Sequence, residues 1–193
     1  MVKLLREFIY RHSNGKTVIS LFILTSSIFA FMWTVTIPKV MEFSDGMKLL
    51  DLMHAGYDAA YVNTLFEALG THGRNAYLYN QIPADMFFPG LFGFTYCLLF
   101  VWFLKKINQH ESPLFYFSLL PLVSGISDYI ENIGIVTMLK QYPNVSEETV
   151  SVTNTFSMFK SASATFYFFA LFVVIAVFVA QYLKINKYSS VSN

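Results

Sequence analysis

The stretch Ser127-Asp128-Tyr129-Ile130-Glu131-Asn132 places two carboxyl groups and a carboxamide inside an apolar run, 113–139, that is long enough to cross a membrane. At helical spacing Asp128, Glu131 and Asn132 stand at i, i+3 and i+4, so they share one face. Ionisable side chains are expensive in hydrocarbon and usually face a bundle interior or an aqueous cavity. The sequence therefore predicts that other parts of the chain cover this face.

The composition is typical of an integral membrane protein. Of the 193 residues, 55% are hydrophobic and 13% are charged, and the mean hydropathy of +0.49 is unusual for a soluble domain. The aromatic residues come without a basic stripe, so nucleic acid is not expected as a partner. The single cysteine, Cys97, excludes an intrachain disulfide and an all-cysteine metal site.

Four apolar runs are long enough to span ~30 Å of hydrocarbon at ~1.5 Å per residue. They cover 17–38, 86–104, 113–139 and 152–183. The second and third runs are joined by a short connection, so they are expected to be antiparallel neighbours. The predicted fold is all-α, a four-helix transmembrane bundle that forms one membrane domain over 17–184.

The first loop, 39–85, is predicted to form a helical cap on the bundle. Ser44 and Asp45 are N-cap candidates for a helix that ends near Gly56. A second helix is expected from Asp58 to Leu69, and Gly70 follows where a C-cap belongs. A third helix is expected over 71–79, closed by Pro83.

The basic residues predict the orientation. Residues 1–16 form a basic juxtamembrane segment, and 185–193 are expected to be a flexible tail. The N-terminal segment, the connection after the second run and the tail hold Lys3, Arg6, Arg11, Lys16, Lys105, Lys106, Lys184 and Lys187. By the positive-inside rule both termini are expected in the cytoplasm. The predicted location is the cell membrane, as in a bacterial inner membrane, with the cap outside.

Counting along the helices brings polar groups from separate spans to one depth. Asp128 falls roughly 8 Å below the outer boundary, while Asp85 and Lys160 fall at or near it. Asn154, Ser157 and Ser161 share a helical face that borders Lys160. Glu131 and Lys160 could also be interfacial residues that snorkel to water. Asp128 is too deep for that, and it is expected to be protonated or paired with Lys160 or Arg74.

These residues form the predicted site. The candidate catalytic residues are Asp128 and Glu131, and the candidate ligand-binding residues are Asn132, Lys160, Arg74, Asp85, Ser157, Ser161 and Tyr77. Arg74 offers bidentate donors for a phosphate or carboxylate head group, or it forms a salt bridge to Asp85 or Glu67. A structural ion pair that pins the cap to the bundle would also satisfy Asp128.

No cofactor is predicted. His54 and His72 are weak candidates for metal binding, because the sequence has no H-x-x-x-H, H-E-x-x-H or C-x-x-C spacing. It also lacks a G-x-S-x-G elbow and a Walker loop, and its glycine-rich stretch at 70–74 lacks the Lys-Ser/Thr ending. General acid and base chemistry is permitted by the carboxyl groups but not specified by them.

A spaced set of residues resembles small four-span bacterial membrane proteins of unassigned function. The set is Leu69-Gly70-x-x-Gly73-Arg74-x-x-Tyr77, Asp85-x-x-Phe88-Pro89, Asp128-x-x-Glu131-Asn132 and Tyr142-Pro143. The resemblance covers most of 69–143, and it implies the four-span layout. It implies no activity.

Two functions follow as hypotheses from different classes. In the first, the polar groups line an outer-leaflet pocket that binds a membrane lipid or lipophilic molecule, and whether the ligand is modified is left open. In the second, the chain is an interaction or assembly module, with a membrane protein or a second copy as partner, and its buried polar residues are structural. An ion pathway is disfavoured, because the inner halves of the spans carry few polar side chains besides Ser118 and Ser124.

Overall fold

The computed structural model describes residues 2–191, with side chains described for 3–184. Its helices are α1 (Val2–His12), α2 (Gly15–Met41), α3 (Ala59–Ala76), α4 (Phe88–Lys106), α5 (Pro113–Gln141) and α6 (Glu147–Val191). A π turn over Tyr77–Gln81 and a short helix, Ile82–Asp85, connect α3 to α4. The described residues contain no strand, so the predicted all-α class is confirmed.

Within the part of the chain that the structure describes, four helical stretches are long and apolar enough to cross a membrane, as in a multi-pass membrane protein. They include α2, α4, α5 and α6, and each of these helices contains or largely overlaps one of the four predicted spans. The helix α6 begins at Glu147, five residues before the predicted span. The whole of the predicted flexible tail, 185–193, lies outside the residues with described side chains.

The bundle is held by close packing of α5 on α6, of α4 on α5 and of α2 on α4. Glycine allows the helices to approach. A Cβ at Gly125 would come within 2.6 Å of the carbonyl oxygen of Pro89, and a Cβ at Gly134 would overlap the side chain of Thr153 on α6. Small residues at such crossings bring helix backbones together where lipid offers no hydrophobic drive for association.

The segment before α3 differs from the prediction. The helix predicted to end near Gly56 is wrong, since the segment forms turns and one short 3-10 helix, Leu50–Leu52. Asp45 and Gly46 adopt positive φ angles of 52° and 81°, which interrupt a helix. The hydroxyl of Ser44 donates to the carbonyl of Met41 and thus completes the end of α2.

The start of α3 follows the sequence. The carboxylate of Asp58 accepts a hydrogen bond of 2.8 Å from the backbone N–H of Tyr61, as an N-cap does. Gly70 has a φ of +56° and kinks the helix at the predicted end. The chain then resumes its helical course. Pro83 does not stop it, because the proline stands in the first turn of Ile82–Asp85, where a missing N–H is tolerated.

The helix α1 is fastened to the bundle at the end predicted to be cytoplasmic. The ammonium group of Lys105 donates to the carbonyl oxygens of Tyr10 and Ser13, at 3.1 and 2.9 Å. The guanidinium of Arg6 lies 4.6 Å from the ring centre of Phe115. The basic segment therefore packs against the last turn of α4 and the first turn of α5.

Candidate functional site

An ion cluster joins α5 to α6. The ammonium group of Lys160 donates to Asp128 Oδ1 at 3.2 Å, and it also contacts Glu131 Oε2. Asp128 and Glu131 lie one helical turn apart on the face of α5 that meets α6, as their spacing predicts. The hydroxyl of Ser124, one turn earlier, donates to the backbone carbonyl of Lys160 at 3.1 Å and fixes the register of the two helices.

The burial of this cluster decides between the alternatives left by the sequence. Glu131 is 0% exposed and Asp128 is 7% exposed, while the side chain of Lys160 is 15% exposed. Glu131 and Lys160 are therefore not snorkelling residues. Two carboxyl groups share one ammonium group, so the cluster leaves a carboxyl in excess.

Polar atoms beside the cluster have no hydrogen-bond partner within the described residues. They are Glu131 Oε1 and both side-chain polar atoms of Asn132. Leaving a buried donor or acceptor unsatisfied costs about 1–3 kcal/mol. Such atoms are uncommon in native structures and mark places where a water or ligand would gain hydrogen bonds.

A second polar network lies under the first loop. The carboxylate of Asp51 accepts hydrogen bonds from the hydroxyl of Tyr77 at 2.6 Å and from the amide of Gln81 at 3.1 Å. The hydroxyl of Thr36 donates to the amide oxygen of Gln81. Both oxygens of Asp51 are thus held by donors, although Asp51 is only 7% exposed.

Two π turns position this network. One covers Met32–Thr36 and the other covers Tyr77–Gln81, and each immediately precedes a short helix with proline at its second position, Pro38 or Pro83. Proline removes a backbone hydrogen-bond donor from the helix, which is a recognised cause of local rearrangement. Thr36 and Gln81 are the last residues of these widened turns, and their side chains meet.

Asp51 was not among the predicted site residues. A regular helix ending near Gly56 was expected over this segment, and that helix does not predict a buried carboxylate at position 51. The available signal was an acidic residue between apolar neighbours, in Leu49-Leu50-Asp51-Leu52. The inward turn follows from the burial of Leu49 and Leu50, which are 0% exposed and anchor the loop in the core.

A cavity of about 700 Å³ connects the two networks. Its polar lining includes Asp51, Asp85, Asp128 and Lys160. Its apolar lining is rich in aromatic side chains from α2, α4 and α6, namely Phe29, Trp33, Phe88, Phe92, Tyr96 and Phe168. The cavity lining thus combines charged and aromatic side chains, and the aromatic residues were not predicted as part of a site.

Asp85 differs from the other acids that line the cavity. It is 4% exposed, yet no hydrogen bond or ion pair from the described residues reaches its carboxyl group, whereas Asp128 has Lys160 and Asp51 has Tyr77 and Gln81. The carboxyl of Asp85 therefore faces the cavity without a protein partner.

Of the other predicted ligand-binding residues, some line the cavity and some do not. Ser161 lines the cavity, and its hydroxyl lies 3.4 Å from Nδ1 of His54, an exposed residue that also lines it. Ser157 and Asn132 are buried outside the cavity lining. Tyr77 is also outside it, where it holds Asp51 through its hydroxyl.

Arg74 takes a structural position away from the cavity. Its guanidinium donates to the carbonyl of Phe66 at 2.6 Å and lies 4.3 Å from the ring centre of Tyr142. It therefore caps the first part of α3 before the kink at Gly70. Neither the predicted partner role for Asp128 nor the salt bridge to Asp85 or Glu67 is formed.

The loop before α3 is attached to α6 beside the ion cluster. The backbone N–H of Tyr57 donates to the side-chain oxygen of Asn154 at 2.9 Å. Burial, with a further contribution from the nearby carboxyl of Glu131, raises the pKa of the Tyr57 hydroxyl. The hydroxyl therefore stays protonated at neutral pH, and its oxygen has no hydrogen-bond partner among the described residues.

The two histidines do not form a metal centre with other residues of the described chain. His72 is exposed on α3, and His54 lies at the cavity. No group of three His, Cys, Asp or Glu side chains within the described range is arranged to hold a metal ion.

The chain matches no protein-family model, no curated protein and no solved structure. The resemblance to small four-span bacterial membrane proteins therefore stays a prediction. Function has to be inferred from the chemistry of the cavity, which combines carboxyl groups, one engaged lysine and an aromatic wall.

Proposed function

We propose that this multi-pass membrane protein binds a lipid or another lipophilic molecule in the cavity between its helices. The observation that carries the proposal is the combination of about 700 Å³ of space, an aromatic wall and a few convergent polar groups. Ligand sites have this composition, because apolar walls supply affinity and a few polar groups fix orientation. A ligand would also fill a space that otherwise leaves Asp85 without a partner.

The location of the cavity favours entry from the membrane. It lies between α2 and α6, and the lining residues Phe29, Trp33 and Phe168 are 47%, 51% and 43% exposed. These side chains belong to helices that are apolar enough to be surrounded by lipid tails. An amphiphile could place its tail along this surface and its head among the carboxyl groups.

We expect filling the cavity to displace the ligand. Ala164 lines the cavity on α6, so Ala164→Phe adds a ring to that space. The amount of co-purified lipophilic ligand should fall at least about tenfold, which requires a loss of only ~1.4 kcal/mol in binding. Native mass spectrometry of protein extracted in native-membrane nanodiscs measures the ligand directly.

The matched control is Val173→Phe on the same helix, where the side chain is 46% exposed and does not line the cavity. This variant should retain the ligand. If Ala164→Phe kept the same ligand in the same amount as Val173→Phe, the binding proposal would be wrong. A loss of thermal stability in Ala164→Phe without any change in bound ligand would instead favour the assembly role.

We also propose that both termini are cytoplasmic and that the acidic groups lie towards the outer surface of a cell membrane. The support is the distribution of lysine and arginine, to which the attachment of α1 by Lys105 adds a structural reason. Reporter fusions at residue 1 and at residue 193 should both be active only as cytoplasmic fusions. A fusion after Gly46, in the first loop, should behave oppositely; an external reading at either terminus would contradict this orientation.

A further inference from the structure

The charges around the cavity are unbalanced. Three carboxyl groups, those of Asp51, Asp85 and Asp128, line it, and Glu131 lies behind them in contact with Lys160. Lys160 is the only lysine or arginine among the described lining residues. A cavity with one ammonium and several carboxyl groups attracts a positively charged or hydrogen-bond-donating group and repels an anion.

The existing donors are already committed. Lys160 is held by Asp128 and Glu131, so it has little capacity left for a phosphate or carboxylate from a ligand. Tyr77 and Gln81 are held by Asp51. Asp85 remains as the buried lining carboxyl without a partner among the described residues.

A buried carboxyl group is stable when it is paired with a cation or hydrogen-bonded to donors. No donor or cation of the described residues lies within hydrogen-bond or ion-pair distance of the Asp85 carboxyl group, although the residue is only 4% exposed. The missing partner is therefore expected to come from the ligand. An ammonium or guanidinium group supplies both the charge and the hydrogen-bond donors.

The aromatic wall suits the same head group. Phe88 and Trp33 line the cavity together with Asp85, and aromatic faces attract cations as well as apolar chains. A carboxyl group beside aromatic rings can hold an organic cation whose substituents are apolar. An anionic amphiphile would gain the apolar contacts but would face the carboxyl groups.

We propose that the ligand of this cavity is a cationic amphiphile whose ammonium or guanidinium group pairs with Asp85 while its apolar part lies against Trp33 and Phe88. This inference rests on the proposed binding function and deepens it by naming the class of ligand. The cation could belong to a free lipophilic amine or to an aminophospholipid head group, which share the ammonium chemistry.

Three probes with one skeleton and different head groups test the assignment. They are phenylbutylamine, phenylbutanol and phenylbutyrate, titrated into the full chain in micelles of an uncharged maltoside detergent, whose surface neither attracts the amine nor repels the carboxylate. In a Trp102→Phe background the remaining tryptophan, Trp33, lies at the cavity and reports binding through its fluorescence. The amine should bind at least about tenfold more tightly than the alcohol, equivalent to ~1.4 kcal/mol, and the carboxylate should bind most weakly.

Asp85→Asn should lower the affinity for the amine at least about tenfold and leave the affinity for the alcohol nearly unchanged. Asp85→Glu, which keeps the charge, should keep the preference for the amine. The matched control is Asp45→Asn, an exposed residue in the turn after α2 whose positive φ asparagine also tolerates. If Asp85→Asn failed to fold, the order of affinities for the three probes, measured on the Trp102→Phe chain with and without Asp85→Glu, would still show whether the cavity prefers a cation.

Equal binding of the amine and the alcohol would overturn the cationic assignment, and so would tighter binding of the carboxylate. Either result would leave the proposed binding function intact. Binding of none of the three, together with no co-purified ligand, would contradict both proposals. Competition by a short-chain phosphatidylethanolamine would identify a lipid head group as the source of the cation. Its failure to compete, with the amine still preferred, would identify a free lipophilic amine.

Discussion

Replacing Lys160 by methionine should destabilise the protein more than any other single side-chain substitution in the described ion cluster. The substitution leaves Asp128 and Glu131 buried beside each other with no counterion. Breaking a buried ion pair by removing one partner typically costs about 3–5 kcal/mol. The melting temperature in detergent should fall accordingly, as measured by scanning fluorimetry with a thiol-reactive dye or by light scattering.

The neutral double replacement Asp128→Asn with Glu131→Gln supplies the decisive comparison. Added to Lys160→Met, it should restore a large part of the lost stability, because no uncompensated carboxyl group then remains in the cluster. Lys140→Met is the matched control, since Lys140 is exposed near the end of α5. A similar loss in Lys140→Met, or no recovery in the triple variant, would show that the buried charges are not the cause.

Replacing Gly134 by alanine should weaken the contact between α5 and α6. A Cβ at this position overlaps the side chain of Thr153, including its Cβ at 2.8 Å, so a change of rotamer cannot remove the clash. Overpacking of this kind costs about 1–3 kcal/mol. The same shift would separate Lys160 from its acids, so we expect a lower melting temperature and a less compact ion cluster.

Gly15→Ala provides the control for this prediction. Gly15 is the first residue of the long helix α2, and a Cβ there would meet only Trp102 Nε1 at 3.7 Å, an ordinary contact. Alanine should be neutral or slightly stabilising at that site, because it restricts the unfolded chain more than glycine does. Combining Gly134→Ala with Thr153→Gly should recover packing; a lack of recovery would locate the effect elsewhere.

The main features of the ion cluster could be predicted from the sequence. Asp128, Glu131 and Asn132 were placed on one face by helical spacing alone, and depth counting brought Lys160 from another helix to the same region. The prediction was possible because a membrane limits the surroundings that a polar side chain can have. In a spanning helix a polar face has to meet protein or water, and few polar residues are available to meet it.

The position of Arg74 could not be predicted in the same way. Its chemistry suits both an anionic ligand and the exposed carbonyl groups of a helix end, and only the kink at Gly70 directs it to the carbonyl of Phe66. The Tyr142 ring then completes its surroundings. Composition does not distinguish between these uses of a guanidinium group.

Asp51 shows a second limit. Its inward orientation depends on turns at Asp45 and Gly46 and on the anchoring of Leu49 and Leu50 in the core, which are tertiary choices. The helical pattern in this segment was misleading because loop residues with mixed polarity can satisfy more than one local structure. The observed local structure is selected by the hydrogen bonds that Asp51 accepts from Tyr77 and Gln81, both in the π turn that follows α3.

The sequence by itself determined the all-α class, the four apolar helices and the face on which Asp128, Glu131 and Asn132 stand. These features follow from local composition and from the period of the helix, which need no knowledge of neighbouring helices. The tertiary structure decided which acids are satisfied and which one is not. Lys160 goes to Asp128 and Glu131, Tyr77 and Gln81 go to Asp51, and Asp85 is left facing the cavity. The physical reason is that pairing depends on where separate helices cross, and those crossings are set by contacts between different helices, such as Gly134 against Thr153.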